Sequence, residues 1–217
     1  MRIKKQKKNN GIIEFIKTIF YALLLAGLIR TLIFQPFWIP SGSMKPTLLV
    51  GDFIFVNKFS YGYSRYSCPF SLCPIAERLF SDLPERGDVV VFRHPVNGKD
   101  FVKRLIGLPG DTIAIKKGNL FLNGQVVNYS SLDDFIELKN SQGPLNSIPR
   151  CKNSPVPIGS DCLKGQLREE LPNGVSYSVL NIGSFFGDDT PQFKVPPNNF
   201  FFLGDNRDNS LDSRFGL

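Results

Sequence analysis

The segment TIFYALLLAGLI, at residues 18–29, contains no charged residue and follows a basic amino terminus. A helix of this length covers about 18 Å, less than the roughly 30 Å hydrocarbon core of a bilayer. Lys17 and Arg30 flank the segment, and their charged ends can extend towards the headgroup layers while their stems stay in the apolar region. We therefore predict a transmembrane anchor over residues 13–34, with an interfacial aromatic belt made of Phe34, Phe37 and Trp38.

Basic charge is concentrated before this segment. The first 17 residues carry a net charge of +5, out of +7 for the whole chain, so the remaining 200 residues are nearly neutral. That balance argues against a basic nucleic-acid-binding face and favours retention of residues 1–12 in the cytoplasm, with the remainder outside. A cleaved signal peptide is disfavoured because no pair of small residues follows the apolar centre. A buried core helix does not ordinarily follow such a tail.

After the anchor, short segments rich in β-branched and aromatic residues recur between glycines, prolines and aspartates. The predicted strands are 53–59, 89–92, 100–108, 112–115, 120–122 and 200–205. Asn123-Gly124 predicts a tight hairpin turn, and residues 61–86 resemble a loop. Residues 128–198 are rich in Pro, Asn and Gly and predict an inserted or extended subdomain of short strands. The expected fold is thus mainly β, an antiparallel β-rich ectodomain behind an N-terminal transmembrane helix.

Four cysteines would lie outside the cytoplasm in this orientation: Cys68, Cys73, Cys151 and Cys162. An oxidising compartment permits disulfides, and the spacing CPFSLC favours the local pair Cys68–Cys73, with free thiols as the alternative. Zinc is less favoured, since the only histidine is His94 and the site would consist of cysteines alone. His94 itself lies in RHPVNG, which predicts an exposed loop position.

The segment PSGSMKPTLLVGD, at residues 40–52, places two serines one residue apart between prolines. Pro40 and Pro46 restrict the backbone on either side, and Gly42 permits close approach of another backbone. One hydroxyl could act as a nucleophile while the other, with a backbone N–H, stabilises an oxyanion. An ordinary Ser/Gly turn is the alternative for this segment taken alone.

A serine nucleophile needs a base, and lysine can replace the usual histidine when its pKa falls from about 10.4 towards the working pH. In FVKRLI, at residues 101–106, alternation puts Lys103 on one face of a strand and Arg104 on the other. The pattern does not decide which of them points inwards. Lys103 is the candidate base because a guanidinium does not deprotonate; a solvated strand lysine is the alternative.

The segment GDNRDNSLDSRFG, at residues 204–216, combines three aspartates, two arginines, two asparagines and two serines. A surface loop without a structural or functional role would not ordinarily be so rich in charges of both signs. This density favours a polar network that fixes other side chains, for instance a hydroxyl that holds the rotamer of a lysine.

Taken together, these segments resemble bacterial type I signal peptidases, the membrane-anchored serine/lysine endopeptidases that cut signal peptides from exported proteins. The segments similar to the family's successive boxes are QPFWIPSGSMKPTLLVGDF (35–53), RGDVVVF (86–92), DFVKRLIGLPGD (100–111) and GDNRDNSLDSR (204–214). Their length and order behind an anchor make the resemblance specific. Residues 128–198 add little to it.

The resemblance implies a role for each matching residue. It makes Ser43 the nucleophile and Lys103 the general base, which also activates the hydrolytic water. Ser41 would donate to the oxyanion beside the Ser43 N–H, and Ser210 would orient the lysine. The implied supporting polar residues are Asp212 and Arg214, and the implied substrate-pocket residues are Phe37, Ile39 and Val102. No metal and no cofactor are implied.

The same resemblance implies a single-pass protein of the bacterial inner membrane, with its catalytic domain on the periplasmic face. Its expected partners are preprotein signal peptides, membrane lipid and export machinery in proximity, and no nucleic acid. The catalytic β core would comprise residues 35–127 and 199–217, with residues 128–198 inserted between them. A nucleophile near the membrane surface suits a substrate whose cleavage site also emerges there.

One departure from the family pattern concerns the end of the chain. Family members continue with further strand-forming sequence after the last box, whereas this sequence ends at residues 215–217. We therefore expect a C-terminally truncated chain, less stable or less active than longer relatives. The alternative function is a truncated, catalytically impaired, membrane-anchored β module that binds export substrates or partners. A self-cleaving repressor with Ser/Lys chemistry would need a DNA-binding domain where the anchor lies.

Overall fold

The computed structural model of the chain describes residues 11–68 and 73–216. Within them one α-helix, α1 (Gly11–Leu32), precedes a series of β-strands. The strands are β1 (Phe34–Trp38), β2 (Phe53–Asn57), β3 (Val89–Arg93), β4 (Asp100–Gly107), β5 (Thr112–Lys116), β6 (Asn119–Leu122), β7 (Gln125–Val126), β8 (Asn128–Ser131), β9 (Phe135–Leu138), β10 (Asp161–Glu170), β11 (Ser176–Asn181), β12 (Phe193–Lys194) and β13 (Phe201–Leu203). The mainly β fold class expected from the sequence is confirmed.

The chain divides into two compact units. The first consists of the described parts of residues 1–37 and 55–83, and it holds α1 and most of the two-stranded β1–β2 sheet. The second consists of the described parts of residues 38–54 and 84–217. It holds sheets with strand orders β13–β4–β3, β12–β5–β6–β7 and β11–β10–β8, the last with β9 also paired to β10.

The helix α1 is 22 residues long, and an 18-residue window of it has a mean hydropathy of 2.1 with none of that window buried. At 1.5 Å per residue its length is about 33 Å, enough for the hydrocarbon core of a bilayer. By length and composition it is the one candidate membrane span among residues 11–68 and 73–216. Most of the cytoplasmic tail predicted over residues 1–12 lies outside the described residues.

The strands predicted from the sequence are present, and so is the predicted hairpin. Asn123 and Gly124 have φ angles of +53° and +81°, as a two-residue hairpin turn with matching twist requires. The flanking strands β6 and β7 pair Phe121 with Val126 and Leu122 with Gln125. Strand β1 was not predicted, since Pro36 within it removes a hydrogen-bond donor; the strand pairs with β2 alone.

The hydrophobic core of the second unit lies between its sheets. Alternating residues of β5 and β6, such as Ile113 and Leu120, are fully buried there. The region 128–198 supplies further core residues, namely Leu171, Tyr177, Val179 and Val195. Its hydrophobic residues therefore pack with those of β5 and β6, although the proposed subdomain boundaries stay a prediction.

The prediction of an exposed His94 is wrong. His94 is only 4% exposed, and its Nδ1 accepts hydrogen bonds from the backbone N–H groups of Val96 and Asn97, at 3.1 and 3.2 Å. Its ring centroid lies 5.1 Å from that of Phe101. The imidazole therefore accepts hydrogen bonds from the backbone of the β3–β4 connection. The composition of this loop alone did not predict that His94 would be buried.

All four cysteines form disulfides. Cys68 is joined to Cys73, as the local spacing predicted. Cys151 is joined to Cys162 at the start of β10, across a sequence separation of 11 residues. The second bridge ties the connection between β9 and β10 to the strand that follows it.

The burial of Leu120 and the exposure of Leu138 predict that truncation of these two leucines has different effects on stability. Leu120→Ala should lower the free energy of unfolding by about 2–5 kcal/mol, because a fully buried side chain leaves a cavity. Leu138→Ala is the matched control, since Leu138 is 54% exposed and surface changes stay within about 0.5 kcal/mol. Denaturant unfolding of both variants measures the difference, and equal losses would contradict this assignment.

Candidate active site

The serine-bearing corner forms a short 3-10 turn, Gly42–Met44, within the second unit. Ser43 is buried, with 9% of its surface exposed. Asn206 binds the turn from the segment after β13: its Nδ2 donates to the Gly42 carbonyl at 2.9 Å and its N–H to the Ser43 carbonyl at 3.0 Å. The turn is therefore fixed by backbone contacts that leave the Ser43 hydroxyl for other interactions.

Lys103 lies on β4 with its amine against this hydroxyl. Lys103 Nζ donates to Ser43 Oγ at 2.8 Å and to the Val102 carbonyl at 3.1 Å. The lysine is 4% exposed, and its Nζ lies 5.5 Å from the centroid of the Phe101 ring. The two residues that the sequence proposed as nucleophile and base are thus in direct contact.

Burial is the main influence on the lysine. Desolvation lowers the pKa of Lys103 from 10.5 to about 8, while the carboxylates of Asp212 and Asp205 act in the opposite direction. A substantial fraction of the amine is therefore neutral near pH 8. A neutral amine 2.8 Å from a hydroxyl can accept its proton, which is the requirement for serine activation.

Ser43 and Lys103 line a cavity of about 670 Å³ in the second unit, and several other predicted residues line it as well. Ser41 is exposed, and its Oγ lies 3.5 Å from Ser43 Oγ. Ile39, which is 3% exposed, and Val102 also line the cavity. Phe37 belongs to the first unit, so its part in a substrate pocket stays a prediction.

The predicted polar network is present in part. Arg214 forms a bidentate pair with Asp212, at 2.8 and 2.9 Å, and Asp212 accepts from the Gly204 N–H at 3.1 Å. Ser210 is buried and lines the cavity, but its Oγ has no hydrogen-bond partner within the described part of the chain. The structure therefore places Ser210 at the site without the expected bond to Lys103.

The sequence analysis did not predict the buried ion pairs that Arg104 and Glu169 form. Arg104, on the opposite face of β4 from Lys103, forms a bidentate pair with Asp205 at 2.8 and 2.7 Å, and its guanidinium carbon lies 3.9 Å from the Tyr177 ring centroid. Glu169 of β10 forms a bidentate pair with Arg207 at 2.8 Å. Both faces of β4 are thus covered, which explains why alternation could not choose between its basic residues.

The Glu169–Arg207 pair links strand β10 to the segment after β13. Glu169 also accepts from the hydroxyls of Tyr129 and Tyr177, and Arg207 Nε donates to the Gly204 carbonyl at 3.1 Å. The partners are 38 residues apart in the chain, so no local pattern could have indicated their pairing. The region 128–198 therefore supports the conformation of the segment that binds the Ser43 turn.

A family model and two curated relatives point to the same protein family. The sequence model of the family described as "Signal peptidase, peptidase S26" matches residues 12–217. Signal peptidase I of Rickettsia typhi is 36% identical over 222 residues, which cover 97% of this chain and 76% of that protein. Signal peptidase I of Rickettsia canadensis is 39% identical over 211 residues, which cover 93% of this chain and 72% of that protein.

The crystal structure of a signal peptidase I from Enterococcus faecalis V583 aligns with 62% of this chain and 86% of that chain, at 24% identity and a TM-score of 0.31. At this TM-score the alignment does not define the fold, which rests here on the strand pairing described above.

The depressed pKa predicts that Lys103 destabilises the folded chain at neutral pH. At pH 7 the lysine is largely protonated in both the folded and unfolded states, so the net penalty that corresponds to its lowered pKa, about 3 kcal/mol, applies there. The penalty fades as the pH rises from about 8 to 10.5, because the folded state releases its proton first. Lys103→Met should therefore raise the free energy of unfolding by up to about 3 kcal/mol at pH 7 and much less at pH 10.

Denaturant unfolding at pH 7 and pH 10 measures the effect of Lys103→Met on stability. Lys152→Met, at an exposed lysine, is the control for general charge effects. A Lys103→Met variant that is less stable than the parent at pH 7, or equally affected at both pH values, would contradict the burial argument.

Proposed function

The chain belongs to the signal peptidase family, peptidase S26, and we propose that it cuts its substrates with Ser43 as the nucleophile and Lys103 as the base. Its activity is that of a serine endopeptidase which removes amino-terminal signal peptides from exported preproteins. The observation that carries the proposed dyad is the 2.8 Å contact between Lys103 Nζ and Ser43 Oγ at a buried position.

The proposed reaction begins with neutral Lys103. Its amine takes the proton of Ser43 as Oγ bonds to the carbonyl carbon of the scissile peptide, and the carbonyl oxygen becomes an oxyanion. The Ser43 N–H and the Ser41 hydroxyl are the proposed donors to that oxyanion, supported by the 3.5 Å separation of the two hydroxyls. The Lys103 ammonium then protonates the leaving amine as the C–N bond breaks, which leaves an acyl-enzyme ester.

Deacylation uses the same lysine. Neutral Lys103 takes a proton from water as the water oxygen attacks the ester carbon, and the lysine returns that proton to Ser43 Oγ when the acyl group departs. Ser210, Asp212 and Arg214 are proposed to support this arrangement. For Asp212 and Arg214 the support is their buried bidentate pair beside the Gly204 N–H.

The substrate side chains on the acyl side are proposed to lie against apolar walls. Ile39 and Val102 line the cavity beside Ser43 and Lys103, and side chains of this size leave room for small residues at the −1 and −3 positions. Phe37 is proposed as a third wall on the basis of the family motif alone.

We also propose the orientation and the surroundings of the protein. The basic residues before α1 favour a cytoplasmic amino terminus, and the Cys68–Cys73 and Cys151–Cys162 disulfides favour an oxidising compartment for the remainder. The proposal is a single-pass protein of the bacterial inner membrane with its site on the periplasmic face, in contact with lipid and near the export machinery.

Substitution of either member of the dyad should abolish cleavage. Ser43→Ala and Lys103→Met should each lower kcat/KM by about a thousandfold or more, because the nucleophile or its base is lost. The measurement is cleavage of a preprotein with small residues at −1 and −3 by the full chain in detergent, with Lys152→Met as the exposed control. Full activity without Lys103 would refute the dyad, and binding of the preprotein without cleavage by the parent chain would favour a non-catalytic binding module.

The pKa of Lys103 predicts the pH dependence of the parent chain. Since the reactive form is the neutral amine, kcat/KM should rise with pH as a one-proton transition centred near the pKa of about 8. Initial rates between pH 5.5 and pH 9.5 with one peptide substrate give this profile. A rate that is independent of pH over this range, or one that falls through pH 8, would exclude Lys103 as the base.

A further inference from the structure

A buried ionic cluster around Glu137 lies beside the serine turn, outside the proposed dyad. Lys45 Nζ forms an ion pair with Glu137 Oε2 and donates to Gln142 Oε1 at 2.7 Å. Gln142 Nε2 donates to the same Glu137 oxygen at 2.8 Å, and Lys164 Nζ lies 2.6 Å from Glu137 Oε1. The exposed fractions of the side chains of Lys45, Glu137 and Lys164 are 4%, 10% and 3%. The cluster therefore joins the serine turn to strands β9 and β10.

Lys45 contacts the serine turn through its backbone and the stem of its side chain. Its backbone N–H donates to the Gly42 carbonyl at 3.3 Å and closes the turn. Its stem runs beside Gly42, where an added Cβ would lie 3.3 Å from Lys45 Cε and 3.4 Å from Lys45 Cδ. The ammonium then reaches Glu137. The side chain of Lys45 thus spans from the residue before the nucleophile to a buried carboxylate on β9.

The carboxylate at the far end is ionised at neutral pH. Burial by itself would raise the pKa of Glu137, but hydrogen bonds from Lys164 and Lys45 hold it below its ordinary value. Burial lowers the pKa of Lys164, and Glu137 opposes that effect. Two buried lysines therefore share one carboxylate, so the loss of either lysine leaves a matched ion pair instead of an unpaired buried charge.

We propose that Lys45 is a positioning residue, whose ion pair with Glu137 fixes the Gly42–Met44 turn and thereby the hydroxyl and N–H of Ser43. The inference rests on the proposed role of Ser43 as nucleophile. Asn206 holds the carbonyls of Gly42 and Ser43, and Lys45 holds the end of the turn through its own N–H and side chain. The reaction is sensitive to such a restraint because small displacements of a nucleophile or an oxyanion donor reduce rates strongly.

Two simpler explanations make different predictions for the two lysines. If the cluster acted only through its positive charge, the loss of Lys45 or of Lys164 would change the rate alike. If the cluster acted only through packing, activity would decline in step with stability. The positioning role instead depends on Lys45, because its backbone belongs to the turn, whereas Lys164 contacts the cluster from β10.

The experiment compares Lys45→Met with Lys164→Met in the full chain, in detergent, on a peptide that spans a signal-peptide cleavage site. Methionine keeps most of the lysine stem and removes the ammonium. We expect Lys45→Met to lower kcat tenfold or more, with KM changed less than threefold and the midpoint of the pH profile near 8 unchanged. Lys164→Met should lower kcat less than threefold, and Glu137→Gln should resemble Lys45→Met.

A binding measurement separates positioning from damage to the pocket. In the Ser43→Ala background, Lys45→Met should bind the same peptide as tightly as Ser43→Ala alone, since only the geometry of the attacking group is disturbed. Thermal unfolding of each variant checks that the lysine substitutions have comparable effects on stability.

The results distinguish this inference from the proposed function. Parent-like kcat in Lys45→Met, an equal loss in Lys164→Met, or weakened peptide binding in the Ser43→Ala background would overturn the positioning role. Cleavage that survives Ser43→Ala would instead overturn the dyad on which it rests.

Discussion

The contact between the amine of Lys103 and the hydroxyl of Ser43 is the interaction on which the rest of the site depends. It is useful only if the amine can be neutral, and an amine becomes neutral near pH 8 only where water is largely excluded. Burial of Lys103 opposes folding at neutral pH, so the surrounding structure has to offset it. The second unit does so with an apolar core on one side of β4 and bound charged groups around the segment after β13.

The charged groups near the lysine are paired so that their influence on it stays limited. Asp205 is engaged by Arg104, and Asp212 by Arg214, in buried bidentate pairs. Each guanidinium neutralises a carboxylate that would otherwise stabilise the ammonium of Lys103 more strongly. Lys103 itself bonds to a hydroxyl and a carbonyl. Pairing of these two carboxylates is thus compatible with a lowered pKa of Lys103, whereas an unpaired carboxylate beside the lysine would raise that pKa.

The region 128–198 contributes more to the site than its sequence indicated. Its irregular composition predicted only an excursion of short strands, yet β10 is a ten-residue strand that carries both Lys164 and Glu169. Glu169 binds Arg207 of the segment after β13, and Glu137 of β9 binds Lys45 beside the serine turn. These pairs join residues 38 and 92 positions apart. Pairings over such distances are set by the packing of sheets and carry no local sequence signal.

The sequence by itself determined the apolar amino-terminal helix, the order of the early strands, the Asn123-Gly124 hairpin and the candidates Ser43 and Lys103, because these depend on local composition, alternation and motif. Only the tertiary structure decided that Lys103 and Arg104 are both buried, that His94 is enclosed and that Ser210 makes no bond to the lysine. The physical reason is that burial and pairing depend on what packs against each face of a strand. A strand's own residues specify its two faces, but not the groups that cover them.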